Sequence, residues 1–203
     1  MIETKIKSFF ENYSSVVYEN HDIIIFAGEK LNFAYYIESG VVNMYDISEK
    51  GNRSILNTFK PGAFFPMSNI INSVEPRYFF EANEETVLRK APSSDVVMFL
   101  KKNSDVMYDL LSRTYRGTDG LFGKISELMQ GDVTSRVLNE LRICAARFGS
   151  EENELGYVLK KKMTESDLSE RTGLARETIS RSVKKLKEDK KVDKYMGRYR
   201  ILE

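Results

Sequence analysis

The sequence predicts an α+β chain in three parts: an antiparallel β unit over residues 1–102, a long helix with a hinge over 103–131, and a winged helix-turn-helix over 132–203. Three observations carry this reading. Short β-branched and aromatic runs separated by glycine turns fill residues 16–90, a turn density that suits a small sandwich or barrel. From Ser104 to Met129 the apolar residues recur at alternating spacings of four and three, which is a heptad seam. After Lys160, two short helical segments are joined by a turn containing Gly173, and that is the helix-turn-helix arrangement.

The strands are read at Ile23–Phe26, Phe33–Ile37, Val41–Tyr45, Arg53–Phe59, Tyr78–Phe80 and Thr86–Leu88, with turns at Gly28, Gly40, Gly51 and Gly62. Glu49-Lys50-Gly51-Asn52 is the strongest hairpin signal, because Gly and Asn tolerate positive φ. Ser93 or Ser94 is expected to cap a short helix carrying Val96, Val97, Phe99 and Leu100. In the long helix, Met107, Leu111, Thr114, Thr118, Leu121, Ile125 and Leu128 form the seam, and Leu110, Phe122 and Met129 widen it. A helix of roughly 25 residues exceeds what a small core needs, so it is read as a dimerisation helix. Gly117, Gly120 and Gly123 interrupt it. Each costs about 1 kcal/mol against Ala, and close backbone approach, a bend or room for a ligand would each account for them. Asp132, after Gly131, is the N-cap of a helix to about Phe148, with Val137, Leu141, Cys144 and Phe148 on one face.

Composition excludes several chemistries. A 41% hydrophobic chain of 203 residues buries a real core. One Cys and one His leave no disulfide, no iron–sulfur or structural zinc cluster and no His-based catalytic pair. Neither an enzyme nor a metal or cofactor is therefore expected. Cys144 reads as a buried apolar filler and His21 as a solvated turn residue. The longest apolar run, Ile23–Ala27, is far too short for a bilayer. The first residues, Met1–Lys5, lack a basic region followed by an apolar stretch, so a reduced, cytoplasmic protein with no membrane partner is expected.

The whole-chain charge of +1 conceals an asymmetry. Residues 132–203 hold 17 Lys+Arg against 13 Asp+Glu, net +4, and residues 1–131 hold 14 against 17, net −3. A basic C-terminal part points to a polyanion. Thr164-Glu165-Ser166-Asp167 is close to a capping box, with Leu168 as its inward contact. A second helix starts near Arg176, where Ile179, Val183 and Leu186 form a buried stripe that leaves Arg176, Glu177, Ser180, Arg181 and Lys184 outside. Arg donates two hydrogen bonds to guanine, Glu accepts from the cytosine amino group and Ser adapts to either, so Arg176, Glu177, Ser180 and Arg181 are the candidate base readers of double-stranded DNA. Lys160, Lys161, Lys162, Thr164, Lys184, Lys185, Arg198 and Arg200 are the candidate phosphate contacts. Lys194–Leu202 reads as a hairpin wing with basic residues at its tip. An effector-binding or protein-interaction module whose winged helix contacts protein is the alternative, and an exposed Arg176, Glu177 and Arg181 discriminate between the two.

On these residues the chain resembles the Crp/Fnr superfamily of bacterial transcription regulators over essentially its whole length. Leu174-Ala175-Arg176-Glu177-Thr178-Ile179-Ser180-Arg181 is similar to the family's recognition-helix signature, and Asp132-Val133-Thr134-Ser135-Arg136-Val137 to its hinge and first DNA-domain helix. Gly28, Gly40, Gly51 and Gly62 resemble the turn glycines of its cyclic-nucleotide-binding-like jelly roll. The resemblance implies a homodimer joined by the long helix, bound to a palindromic promoter site and recruiting or blocking RNA polymerase. It also implies base contacts by Arg176, Glu177, Ser180 and Arg181. Ala175 departs from the Ser or Thr that often caps the family's recognition helix.

The sensor end departs further. Where the family's cyclic-nucleotide binders carry Gly-Glu and then Arg-Ser, this chain has Pro66-Met67 and Arg77-Tyr78. Leu121 and Phe122 stand where hydroxyl residues meet the adenine. The resemblance therefore argues against cyclic AMP, and the Cys and His counts argue against the family's iron–sulfur cluster and haem. Three inputs fit: an unknown small-molecule effector in a pocket of Phe64, Phe65, Met67, Arg77, Tyr78, Leu121 and Phe122, also touching Phe79 and Phe80; no ligand at all; or aromatics that are simply core.

Overall fold

The computed structural model describes residues 2–202, apart from the side chains at 127, 129, 130 and 153; the side chain of Met129 lies outside the described residues. The chain divides into two compact units between Thr118 and Asp119. That division falls inside the long helix, not at either of its ends.

The first unit opens with helix α1 (Ile2–Phe10), followed by strands β1 (Ser15–Tyr18), β2 (Ile23–Ile25), β3 (Phe33–Ser39), β4 (Val42–Ile47), β5 (Arg53–Phe59) and β6 (Phe64–Phe65). Helix α2 (Met67–Asn72), strands β7 (Phe79–Ala82) and β8 (Thr86–Pro92), and helix α3 (Ser93–Lys102) complete the roll before α4 (Ser104–Gln130) begins. The strands form two four-stranded sheets, β1-β8-β3-β6 and β2-β7-β4-β5, antiparallel throughout. Eight strands in two such sheets make a jelly roll.

Strand alternation sorts the side chains into two cores. Ile37, Phe65 and Leu88 of one sheet meet Ile25, Val42, Phe80 and Ala82 of the other inside the roll. Their neighbours Tyr36 and Phe64 point the other way, into a helical layer built from Ile6 and Phe10 of α1, Met67 and Ile70 of α2, Val96 and Leu100 of α3, and Val106. The four predicted turn glycines all adopt positive φ. Gly40 is held most tightly: a Cβ there would lie 2.4 Å from Thr86 Oγ1 and 2.6 Å from the Glu85 carbonyl, so no larger residue fits.

Several details differ from the sequence reading. Helix α3 starts at Ser93 behind Pro92, and no side chain caps it. His21 is an exposed turn residue with φ +74°, yet its Nδ1 lies 3.1 Å from the buried Glu81 carboxylate, which Arg53 Nη1 grips at 2.8 and 2.7 Å. A Cβ at Gly117, Gly120 or Gly123 would meet no atom within 4 Å among the described residues.

The second unit holds α5 (Val133–Phe148), β9 (Ser150–Asn153), β10 (Gly156–Leu159), α6 (Glu165–Thr172), α7 (Arg176–Glu188), β11 (Val192–Tyr195) and β12 (Arg198–Leu202). Its sheet runs β11-β12-β10-β9, so the predicted wing hairpin is one half of a four-stranded sheet. Asp132 caps α5 by accepting the N–H groups of Thr134 (2.7 Å) and Ser135 (3.0 Å). Val137, Leu141 and Cys144 of α5 pack with Leu168 of α6, Ile179, Val183 and Leu186 of α7, and Tyr199. Burial pushes the Cys144 thiol up to about 12, consistent with an inert core residue.

Candidate nucleic-acid interface

The helix-turn-helix is fixed at its turn. Thr164 and Asp167 form a reciprocal capping box at the start of α6. Gly173 closes the helix with φ +70°, its N–H donating to the Ser169 carbonyl at 2.8 Å. Ser169 Oγ donates to the Leu174 carbonyl at 2.6 Å and Arg136 Nη2 to that of Thr172 at 3.0 Å, which tie the turn to both α6 and α5. Helix α7 then buries Ile179, Ser182, Val183 and Leu186.

The opposite face of α7 carries all four predicted base readers. Arg176, Glu177, Ser180 and Arg181 are exposed on its first two turns, with Lys184 and Lys185 beyond them. Arg181 and Glu177 form only a loose pair at 4.0 Å, their side chains 79% and 91% exposed. A solvated pair of this kind contributes little on its own and leaves both groups accessible to a base edge. Arg176 is held differently: its Nη2 donates to Ser166 Oγ at 2.7 Å.

An open cleft of about 250 Å³ lies beside this face, between the start of α5 (Val133, Thr134) and α7 (Thr178, Arg181, Ser182, Lys185). Thr134 and Thr178 are hydroxyl donors that the sequence reading did not single out as contacts. Their signal was present, since Thr178 is one residue before the buried Ile179 and Thr134 lies in the first turn of α5.

Not every predicted phosphate contact stands free. Lys160, Lys162, Lys184 and Lys185 are exposed, and Lys161 lies over the Phe148 ring at 4.9 Å. The Thr164 hydroxyl is used inside the capping box, donating to Asp167 Oδ2 at 2.7 Å. Arg198 pairs with Glu151 at 3.4 Å. Arg200 makes two bonds to the Asp193 carboxylate, Nε to Oδ1 at 2.8 Å and Nη2 to Oδ2. That guanidinium holds the Asp193 carboxyl below the usual carboxylate range. The wing arginines are therefore paired within the sheet, and the tip is formed by the exposed Tyr195, Met196 and Gly197.

A buried ionic cluster links α4, α5 and α6. Glu140 of α5, 5% exposed, lies 3.2 Å from Lys124 Nζ in the last turns of α4 and 3.9 Å from Arg171 Nη1 of α6. The predicted seam of α4 is largely bare: Leu111, Leu121, Ile125 and Leu128 are each about half exposed, as are Tyr108, Tyr115 and Phe122 or more so. Thr114 and Thr118 donate back to the carbonyls of Leu110 and Thr114. Met107 departs from the seam, because it packs against the helical core of its own unit.

Within the first unit, the predicted effector residues face different layers. Phe64 and Met67 pack into the helical layer, whereas Phe65 faces the interior of the roll; adjacent strand residues point to opposite faces. Arg77 is exposed, its guanidinium 5.7 Å from the Tyr78 ring centre. Leu121 and Phe122 are exposed and belong to the second unit. Inside the roll, Phe65 stacks on Phe80 and Phe59 at 5.3 Å each and on Tyr35 at 5.7 Å. Of the three inputs open from sequence, aromatics as core describes Phe65 and Phe80 directly. Among the described residues, no helix is long and apolar enough to cross a membrane.

A β-roll followed by a long helix and a winged helix-turn-helix with an exposed Arg, Glu and Ser face defines the class of DNA-binding transcription regulators. Comparison with known proteins agrees. The cyclic nucleotide-binding domain family matches residues 15–103 and the Crp-like helix-turn-helix domain family residues 134–203. The chain is 23% identical over 188 residues to the cAMP-activated global transcriptional regulator CRP of Pasteurella multocida, covering 92% of this chain and 89% of that one. It is 24% identical over 191 residues to the transcriptional regulator SdrP of Thermus thermophilus, covering 93% and 90%. The fold matches that of the c-di-GMP responsive global regulator CLP of Xanthomonas campestris with a TM-score of 0.83 at 17% identity, over 98% of this chain and 99% of that one. The chain belongs to the Crp/Fnr superfamily.

Proposed function

We propose that the chain is a sequence-specific transcription regulator that binds an inverted-repeat promoter site as a homodimer through α4 and acts on RNA polymerase there. The observation that carries this reading is the α7 face, where Arg176, Glu177, Ser180 and Arg181 are exposed together while the opposite side is buried. Major-groove readout asks for this arrangement at the start of a recognition helix. The bare apolar seam from Leu111 to Leu128 supports the dimer, since a half-exposed heptad stripe is buried by a second helix. Pro66-Met67 in place of the ribose-binding pair, with the aromatic stack inside the roll, supports a regulator that does not take cyclic AMP. Any effector would belong to another chemical class.

The test is a fluorescence anisotropy titration on sites selected from random DNA. Arg181→Ala is expected to lose about 1–3 kcal/mol on the selected duplex and little on a scrambled one, relaxing specificity at one base pair. Lys184→Ala is expected to weaken both duplexes alike and to reduce the salt slope by about 1. An equal loss on both duplexes for Arg181→Ala would remove the base-reading assignment. Binding that no duplex supports would favour a protein partner for the winged helix.

A further inference from the structure

We propose that Ser166 is a positioning residue for base readout, fixing the Arg176 guanidinium in the orientation it uses on DNA; the inference rests on the DNA-reading function proposed above. Arg176 is the first residue of α7, and the residue before it, Ala175, supplies no side-chain cap. The bond to Arg176 comes from the other helix: Ser166, half-buried near the start of α6, accepts from Arg176 Nη2 at 2.7 Å. Its own position is set by the capping box on either side of it, Thr164 with Asp167, and by the Gly173 turn that joins the two helices.

The chemistry leaves the reading function intact. A guanidinium carries five N–H donors in a planar fork. One bond to Ser166 leaves a further pair for the two acceptors on the guanine edge. A long exposed side chain loses rotamer freedom on binding, and a side chain already held loses less. Of the four candidate readers, Arg176 has this cross-helix bond, whereas the contacts of Arg181 stay on its own helix, a 3.4 Å bond from Nε to the Glu177 carbonyl and the 4.0 Å pair with the Glu177 carboxylate. The geometry thus makes Arg176 the pre-ordered member of the set, with Ser166 acting through it and not on DNA.

The experiment uses the full chain and the duplex selected from random DNA. Single-base substitutions first locate the base pair whose change costs the wild-type chain affinity but costs Arg176→Ala none. Ser166→Ala is then titrated on the selected duplex, on the duplex altered at that pair, and on a scrambled duplex. The expected result is a loss of about fivefold to tenfold on the selected duplex alone, within the net contribution of one ordinary hydrogen bond. Ser166→Thr is expected to restore binding, and Ser166→Ala/Arg176→Ala to bind no more weakly than Arg176→Ala. Unchanged or tighter binding by Ser166→Ala, or an equal loss on all three duplexes, overturns the assignment. A wild-type chain that prefers no duplex overturns the DNA-reading function itself.

Discussion

Inside the roll, Phe59, Phe65, Phe80 and Tyr35 stack on one another and fill the space between two sheets. On α7, Arg176, Glu177, Ser180 and Arg181 stand in solvent with one ordered contact to another helix among them. The first region spends its large side chains on its own stability, and the second keeps its polar ones for a partner. The difference teaches where each function is to be sought. The roll interior offers its side chains to one another, whereas the reading helix presents side chains whose removal leaves its core untouched.

Two substitutions test that contrast most strongly. Phe65→Ala removes a fully buried ring and is expected to cost about 3–5 kcal/mol of stability, measured by urea or thermal unfolding. Arg181→Ala, on the exposed face, is expected to change stability by no more than about 0.5 kcal/mol while lowering specific DNA affinity. If Phe65→Ala leaves the unfolding transition in place, the roll interior is not the tight core described.

Glu140→Gln sharpens the same comparison within the DNA-binding unit. The carboxylate is buried beside Lys124 and Arg171, and a neutral amide there withdraws the negative charge from both cations. The expected loss is about 3 kcal/mol, the lower end for a broken buried ion pair because Lys124 keeps access to water. DNA specificity should survive wherever the variant is folded, since Glu140 lies on α5 away from the exposed face of α7. An altered base preference in the folded variant would show that the cluster also orients the reading helix.

The parts of this architecture that follow local rules were legible in the sequence. Strands β3, β4 and β5 announce themselves by β-branched and aromatic runs between glycines that need positive φ, and the α7 face follows from the spacing of Ile179, Val183 and Leu186. Strand β9 was not legible: Ser150-Glu151-Glu152-Asn153 is a polar edge strand ordered by pairing with β10. Helix α1 was missed although Ile2, Ile6 and Phe10 lie on one face, because nine residues give a short period. In the candidate effector set, Phe64 and Phe65 face different layers for a local reason, since adjacent strand residues point apart. The ion pairs of the wing arginines depend on distant residues. Glu151 lies 47 residues from Arg198 in the chain, and the hairpin register that brings Asp193 opposite Arg200 is a property of the folded sheet.

The smallest expected effect concerns the two carboxylates of the second unit that the fold holds in charged form. Asp132 is kept below the usual carboxylate range first by the Ser135 hydroxyl, then by the N–H groups of Ser135 and Thr134 and by Lys185. Asp193 is kept low by Arg200. A depressed value in the folded state means that the contribution is complete above the unfolded value, near 3.9 for Asp, and is lost as pH falls through the folded value. Asp132→Asn retains a good capping group and removes only the charge. Its melting temperature should therefore lie below that of the wild type at pH 6 and converge with it toward pH 2. Asp193→Asn should behave in the same way, because protonation removes the same Arg200 pairing in the wild type. A gap that stays constant between pH 6 and pH 2, or widens in acid, would mean that the charge of these groups is not what the cap and the wing sheet use.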